Sequence, residues 1–398
     1  MKKTIFLLII SMMLFLTGCD QILKTVNPED EAQNFSPQWS ITEGGQLSCE
    51  NKNIQGDIVI PDMVNGINVV TIMAGAFRDC KNLTSITIPS SVLIIGDYAF
   101  QRCKGLRRIS IPDSVVKIGI GVFSGCSLLE EVSIPNSVTY IGGSAFAGCS
   151  NLRKIILSDS LTQIEEKSFI NCTKLTSITI PDSVTSIHES AFSYCTKLSD
   201  VVIGDSVTKI GKEAFSYCSN LSNVTMGTSV SVIGELSFAY CSRLFAIDIP
   251  NSVIEIERKA FMFAGLEAIT IPNSVSSISE NAFGGCKYLE KINIPNSVKW
   301  FGEYIFSGCT SLREASISSG SILNEGMFYG CTELKSITIP NSVTRIADEV
   351  FYGCSRLIDI NFLGTKNQWY AAKKGLKWDY EVPSNRVIHC IDGDLRFQ

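Results

Sequence analysis

Apolar and polar positions alternate over a few residues and then recur at a fixed interval. In the clearest unit Leu175, Ile178, Ile180, Val184, Ile187, Ala191, Phe192 and Cys195 are apolar or small, with mainly polar residues between them. The general form is L-x-x-I-x-I-P-x-S-V-x-x-I-G-x-x-A-F-x-x-C. Its first part alternates with period two and is rich in Ile, Thr and Val, which predicts a short strand with one buried face. Pro stops that strand because it has no N–H to donate to a ladder. Ser-Val-x-x-Ile predicts a second extended piece, followed by a Gly slot for a turn. Phe and Cys lie three apart, the spacing of one side of a single helical turn, so a helical turn is expected there.

The unit repeats along most of the chain. Phe recurs at 77, 100, 123, 146, 169, 192, 215, 238, 261, 283, 306, 328 and 351, in steps of 23 residues with two steps of 22. A period of this length means a solenoid of stacked coils rather than several globular domains. One coil exposes both flanks and cannot hide its apolar side chains; stacking covers them and completes the hydrogen bonds of the strands. At a ladder spacing of about 4.8 Å the repeats predict a rod or arc about 60 Å long. Open ends of such a stack invite pairing with other chains, so both need covers. Trp39 to Val70 reads as an N-terminal cap merging into an atypical first coil. Near the other end, residues 366–374 read as a short helix carrying Trp369. The Asp392-Gly393-Asp394 turn between Arg386–Ile391 and Leu395–Gln398 signals a hairpin.

This pattern resembles the BspA-like leucine-rich repeats of bacterial surface proteins, over roughly residues 56–361. The ending Val387-Ile388-His389-Cys390-Ile391-Asp392-Gly393-Asp394 resembles ends seen in that family. The resemblance implies a right-handed leucine-rich-repeat solenoid or horseshoe, mainly β with short helical turns, here about 13 coils of 23 residues. It also implies export, display at the cell surface and binding of proteins, including host matrix proteins. The family has no catalytic motif, so it assigns no functional residue to this chain.

The N-terminus points the same way. Lys2 and Lys3 precede an almost continuously apolar run from Ile5 to Leu16, a secretory signal peptide too short to span a membrane as a helix. Its end, Leu16-Thr17-Gly18-Cys19, resembles the bacterial lipobox, in which the Cys becomes the first mature residue and carries a diacylglycerol; Cys19 is therefore the expected lipidation site. The expected organisation is a leader over 1–18, lipidated Cys and polar tether over 19–38, N-terminal cap and start of the first coil over 39–70, solenoid over 71–361 and C-terminal cap over 362–398. The expected localisation is a bacterial membrane, held by the lipid, at the outer membrane or cell surface.

Composition narrows the chemistry. A net charge of −5 with 18% charged residues excludes electrostatic nucleic-acid binding, which needs a basic face. Two histidines, His188 and His389, are too few for a His-rich metal centre or a proton relay. No G-x-S-x-G, H-E-x-x-H or phosphate-loop pattern occurs. His389 stands beside Cys390, but neighbouring strand residues point to opposite faces, against a Cys–His nucleophile pair. No catalytic residue, metal, cofactor or small-molecule substrate is expected, and the chain reads as a non-enzyme. Of the 15 cysteines, twelve occupy the repeat slot three after Phe. Stacking would set them in a row at a spacing compatible with disulfides, in an oxidising compartment. Parallel Cβ directions, and Ala264 in the same slot, favour thiols packed as small hydrophobes over disulfides or a metal site.

Two surface rows are candidates for partner binding. Arg108, Glu131 and Lys154 occupy equivalent outward strand positions, with Arg107, Glu130 and Arg153 one residue earlier. Their alternating signs suit register pairing across strands or a charged recognition patch. In the slot before the repeat Cys, where Gly is the commonest residue, four successive coils carry Tyr194, Tyr217, Tyr240 and Phe263. Such rings can stack, and partly exposed tyrosines also anchor protein partners. The expected function is protein–protein recognition, in particular adhesion to host or neighbouring-cell proteins. The alternative is a structural lipoprotein facing the periplasm without a host ligand.

Overall fold

The computed structural model describes residues 35–396. The leader, Cys19 and the first part of the tether lie outside them. The described chain winds into one stack of coils with three walls, each wall held by its own ladder of hydrogen bonds between successive coils.

The first wall holds the L-x-x-I-x-I strands. Gln55–Val59, Asn82–Thr87, Arg108–Ser110, Glu131–Ser133 and Lys154–Ile156 form one sheet, Ser177–Ile180, Asp200–Ile203 and Asn223–Thr225 a second, and Lys291–Ile294 onward a third. Pairing is parallel and in register, residue n against its counterpart one coil on, as in Ile178 against Val201. Their apolar residues face inward and their Ser, Thr and charged residues outward, as the alternation predicts. The second wall holds two-residue strands from V-x-x-I. Seven of them, from Gln163–Ile164 to Trp300–Phe301, pair without a break.

The third wall departs from expectation. The A-F-x-x-C segment is no helical turn; among the described residues the one α-helix is Lys366–Ala371. Each coil instead carries two residues of left-handed backbone, four apart, such as Ser190 (φ 54°) and Tyr194 (φ 62°). A right-handed helical turn cannot contain them. They turn alternate N–H groups outward to the next coil: Ser190, Phe192 and Tyr194 donate to the carbonyls of Lys212, Ala214 and Ser216 at 2.8–2.9 Å. Non-local hydrogen bonding thus overrides the local spacing signal.

Inside, the thirteen repeat Phe form a single column of nearly parallel rings, with centroids 5.0–5.8 Å apart. Trp39 closes one end of the column edge-on at 5.9 Å and Trp378 the other at 6.2 Å. Near the N-terminal end Lys52 reaches across the coil edge, its Nζ donating to the carbonyls of Cys49 and Ala76 at 2.8 and 2.7 Å. At the other end Lys366–Ala371 has a capping box formed by Thr365 and Gln368, and buries Trp369. The helix is shorter than the spacing suggests, because Lys373–Lys374 pairs as a strand with Arg345–Ile346. Val387–Cys390 and Gly393–Arg396 form the expected hairpin over the last coil.

Candidate interaction surface

The repeat cysteines are free thiols buried behind the third wall. From Cys103 to Cys354 each Sγ lies 3.0–3.3 Å from the carbonyl oxygen of the Phe one coil earlier. The slot therefore asks for a small apolar residue that can also donate a weak hydrogen bond. Burial pushes the Cys195 thiol up to about 12, so it is unreactive at neutral pH. These residues belong to the core, not to a site.

The slot before each Cys is one of the two left-handed positions, which explains its usual Gly: Gly125, Gly148, Gly308, Gly330 and Gly353 all have φ between 69° and 74°. Tyr194, Tyr217, Tyr240 and Phe263 adopt the same backbone at φ 56–62°. Their rings run along the outside of the wall, with centroids 4.6, 4.3 and 5.1 Å apart. Tyr194, Tyr217 and Phe263 remain exposed. The stripe ends at a local defect. Only Gly265 separates Ala264 from Leu266, where other coils place two residues between Cys and Leu. The missing residue opens a notch of about 440 Å³ between Tyr240, Phe263 and Tyr288, floored by Ala264 and Gly265.

The charged row lies on the first wall. Arg108, Glu131 and Lys154 stand directly opposite one another across the strands. Arg107 and Glu130 form an ion pair at 3.2 Å. Among the described residues no opposite charge lies within 4.0 Å of Arg108, Glu131, Arg153 or Lys154. Register pairing thus accounts for one contact of this row, while Lys291–Glu314 at 2.7 Å supplies another farther along. The charged row and the aromatic stripe occupy different walls.

The sequence reading missed a second aromatic row. Tyr329, Tyr352 and Tyr380 stack with centroids 4.9 and 4.8 Å apart, in the slot just after Phe. Tyr329 and Tyr352 keep the 23-residue spacing, a signal that was available; Tyr380 comes 28 residues later and joins the row only because the cap imitates a coil. His389 is held between Asp394 (Nδ1 to Oδ1, 2.9 Å) and Asp359 (Nε2 to Oδ1, 3.2 Å), and no thiol or hydroxyl is bonded to it. His188 lies on the surface near Ser186 and Gln163, both at 3.2 Å. Among the described residues no group of three or more His, Cys, Asp or Glu is placed to hold a metal, and no helix is long and apolar enough to cross a membrane.

Comparison with known proteins agrees with this geometry. The family model described as BspA type leucine rich repeat region matches residues 45–175, 162–269 and 254–371. The chain is similar to a leucine-rich repeat protein from Bacteroides ovatus, with 28% identity, a TM-score of 0.65 and coverage of 89% of this chain and 98% of that one. It is similar to a leucine rich cell surface protein from Faecalibacterium prausnitzii, with 31% identity, a TM-score of 0.54 and coverage of 85% and 96%. The pneumococcal vaccine antigen PcpA, at 19% identity and a TM-score of 0.54, shares the fold, over 91% of this chain and 98% of that one. No curated protein matches. With the family model covering most of the coils, the chain belongs to the BspA-type leucine-rich-repeat family.

Proposed function

We propose that this protein is displayed on the bacterial surface through a lipid on Cys19 and adheres to host or neighbouring-cell proteins through the stripe Tyr194, Tyr217, Tyr240 and Phe263. The family's fold is a binding scaffold and serves protein–protein interaction in general. The observation that carries the finer reading is the backbone of the stripe. A side-chain-bearing residue in the left-handed region costs about 1–2 kcal/mol. A stacked aromatic pair contributes about 0.5–1.5 kcal/mol. Four strained residues making three ring contacts are at best a break-even arrangement for the fold, whereas Gly, used in the same slot in six other coils, avoids the strain; Asp79, Arg102 and Asn171 fill the slot singly in the remaining three. Aromatic side chains kept against that cost, exposed, aligned and beside an apolar notch, have the composition of a protein-binding hot spot. The charged row Arg107, Arg108, Glu130, Glu131, Arg153 and Lys154 supplies a further polar contact area on the sheet wall.

Surface display is supported by the leader and lipobox resemblance, by the relative described as a cell surface protein, and by the arithmetic of acyl chains: each buried methylene adds about 0.8 kcal/mol, so two chains hold a protein without a spanning helix. The test has two parts. Protease treatment of intact cells should cut the protein, and capture from matrix and serum proteins should yield a ligand lost in a Tyr194→Gly, Tyr217→Gly, Tyr240→Gly variant. Full protection of the protein on intact cells would favour the periplasmic scaffold instead. Undiminished capture by the folded triple variant would remove the stripe from the site.

A further inference from the structure

We propose that the C-terminal part of the third wall, around Tyr329, Tyr352 and Tyr380, is a second docking strip and that it takes an extended protein segment rich in Lys and Arg. It lies several coils from the stripe discussed above and does not depend on that reading.

Three observations converge there. First, acids occupy the slot three before Phe in four successive coils: Glu280, Glu303, Glu325 and Asp348. Glu349 and Glu381 lie beside them. Equivalent slots in adjacent coils are near neighbours, and like charges facing one another there oppose stacking. Elsewhere neighbouring coils place opposite signs together and pair, as in Arg356–Glu333 and, in this same slot, Arg258–Glu235. Among the described residues no cation lies within 4.0 Å of Glu280, Glu303, Glu325, Asp348, Glu349 or Glu381. Of the basic residues in the neighbouring cap segment, Lys373, Lys374 and Lys377 make no such pair and Arg386 pairs with Asp379 instead. Second, the tyrosine row borders the acids. Tyr304, edge-on to Tyr329 at 6.3 Å, donates its hydroxyl to Glu325 at 2.8 Å, and Glu381 directly follows Tyr380. Tyrosine rings attract Lys and Arg over their faces and edges. Third, the slot after Tyr329 and Tyr352 is glycine, while Glu381 adds its carboxylate in the same slot after Tyr380. A Cβ on Gly330 would meet nothing closer than Gly308 at 3.9 Å, and one on Gly353 nothing closer than Gly330 at 3.5 Å. Gly308 and Gly330 therefore form a partly exposed floor beside the rings, and the Glu381 carboxylate lies over the buried Gly353, 3.9 Å from where its Cβ would be.

A glycine floor, an aromatic border and a row of carboxylates without cation partners make a shallow strip crossing several coils. Its length suits an extended chain, and its charge selects a basic one. Partner cations would relieve the repulsion among stacked carboxylates, so binding and local stability are coupled.

The test is fluorescence anisotropy of a labelled Lys-Gly repeat peptide, with a Glu-Gly repeat as control, added to the full-length protein in detergent. Two variants are informative. Glu303→Gln, Glu325→Gln, Glu349→Gln removes charge at constant shape. Tyr329→Ser, Tyr352→Ser installs the residue this slot already holds at Ser193, Ser216 and Ser307, so the coil keeps its backbone. The expected result is salt-sensitive binding of the Lys peptide alone, weakened at least about fivefold by either variant, and unaffected by Glu130→Gln, Glu131→Gln on the sheet wall. Loss in the Gln variant without loss in the Ser variant would reduce the effect to general attraction by an acidic protein and overturn the strip. Equal weakening by the sheet-wall variant, or no binding of the Lys peptide, would overturn it as well.

Discussion

Cys195 donates its S–H to the carbonyl oxygen of Phe169, one coil earlier, at 3.2 Å. The same bond recurs along the solenoid, so each Phe gives its ring to the aromatic column and its carbonyl to the next coil's thiol. Ala264 is the exception, and it sits in the coil with the shortened loop. Replacing Cys195 with Ala removes a buried sulfur and a weak donor, and we expect a loss of about 1–2 kcal/mol in urea unfolding. A variant as stable as the parent would show that the thiol bond adds nothing.

The thiols should govern alkaline stability. Burial holds Cys195, Cys309 and Cys354 up to about 12 from an ordinary value of 9.0. A group whose value is raised in the fold stabilises it fully below the unfolded value, and that contribution fades as pH rises through the folded one. Stability should therefore fall between pH 9 and 12, by about 1.4 kcal/mol per pH unit for each thiol taking part. Unfolding followed against pH checks this: a slope worth one or two protons would contradict participation of the whole row. Thiol reagents at neutral pH should leave the thirteen buried cysteines intact until the protein is unfolded.

Glycine should be tolerated in the aromatic stripe. Tyr217→Gly removes two stacked contacts, at 4.6 and 4.3 Å, but also relieves left-handed strain at φ 60°. The two effects are of similar size, about 1–2 kcal/mol each, so the melting temperature should change by no more than a few degrees. A β-branched Val in that slot keeps the strain without the stacking, and should destabilise by more. If Val and Gly behaved alike, strain would not be the reason for glycine in the other coils.

The C-terminal hairpin should loosen as pH rises. Hydrogen bonds to Asp394 and Asp359 hold the His389 imidazole above its ordinary 6.5. The imidazolium stabilises the hairpin below pH 6.5, and this is lost as pH rises through the raised value. His389 is partly exposed, so solvent screens the effect and a local readout suits it best. Corrected for the intrinsic pH dependence of exchange, amide protection over residues 393–396 should fall between pH 6 and 9, and Asp359→Asn should flatten that change. Protection independent of pH in the parent would refute this role of His389.

The solenoid, its 23-residue coil, the two strand walls and the hairpin cap are legible in the chain because each signal is local and repeated many times: alternation, a proline stop, a recurring Phe. The aromatic stripe is legible for the same reason. Three features were not. The third wall carries a helix-like spacing, and only hydrogen bonds to the next coil force its left-handed residues. Trp378 closes the Phe column although the sequence drew attention to Trp369, since the cap copies a coil without its period. The Tyr329–Tyr352–Tyr380 row gains its third ring from that same cap.

The sequence by itself determined what repeats, and therefore the architecture, the core and the family. The tertiary structure decided what each repeated position is for. A Gly slot became a left-handed turn, a cysteine became a donor to Phe169 or its counterparts, and scattered glutamates became a row of like charges. The physical reason is range: periodicity resides in neighbouring residues, whereas strain, donor–acceptor pairing and unbalanced charge arise only between groups that stacking brings together from one coil to the next.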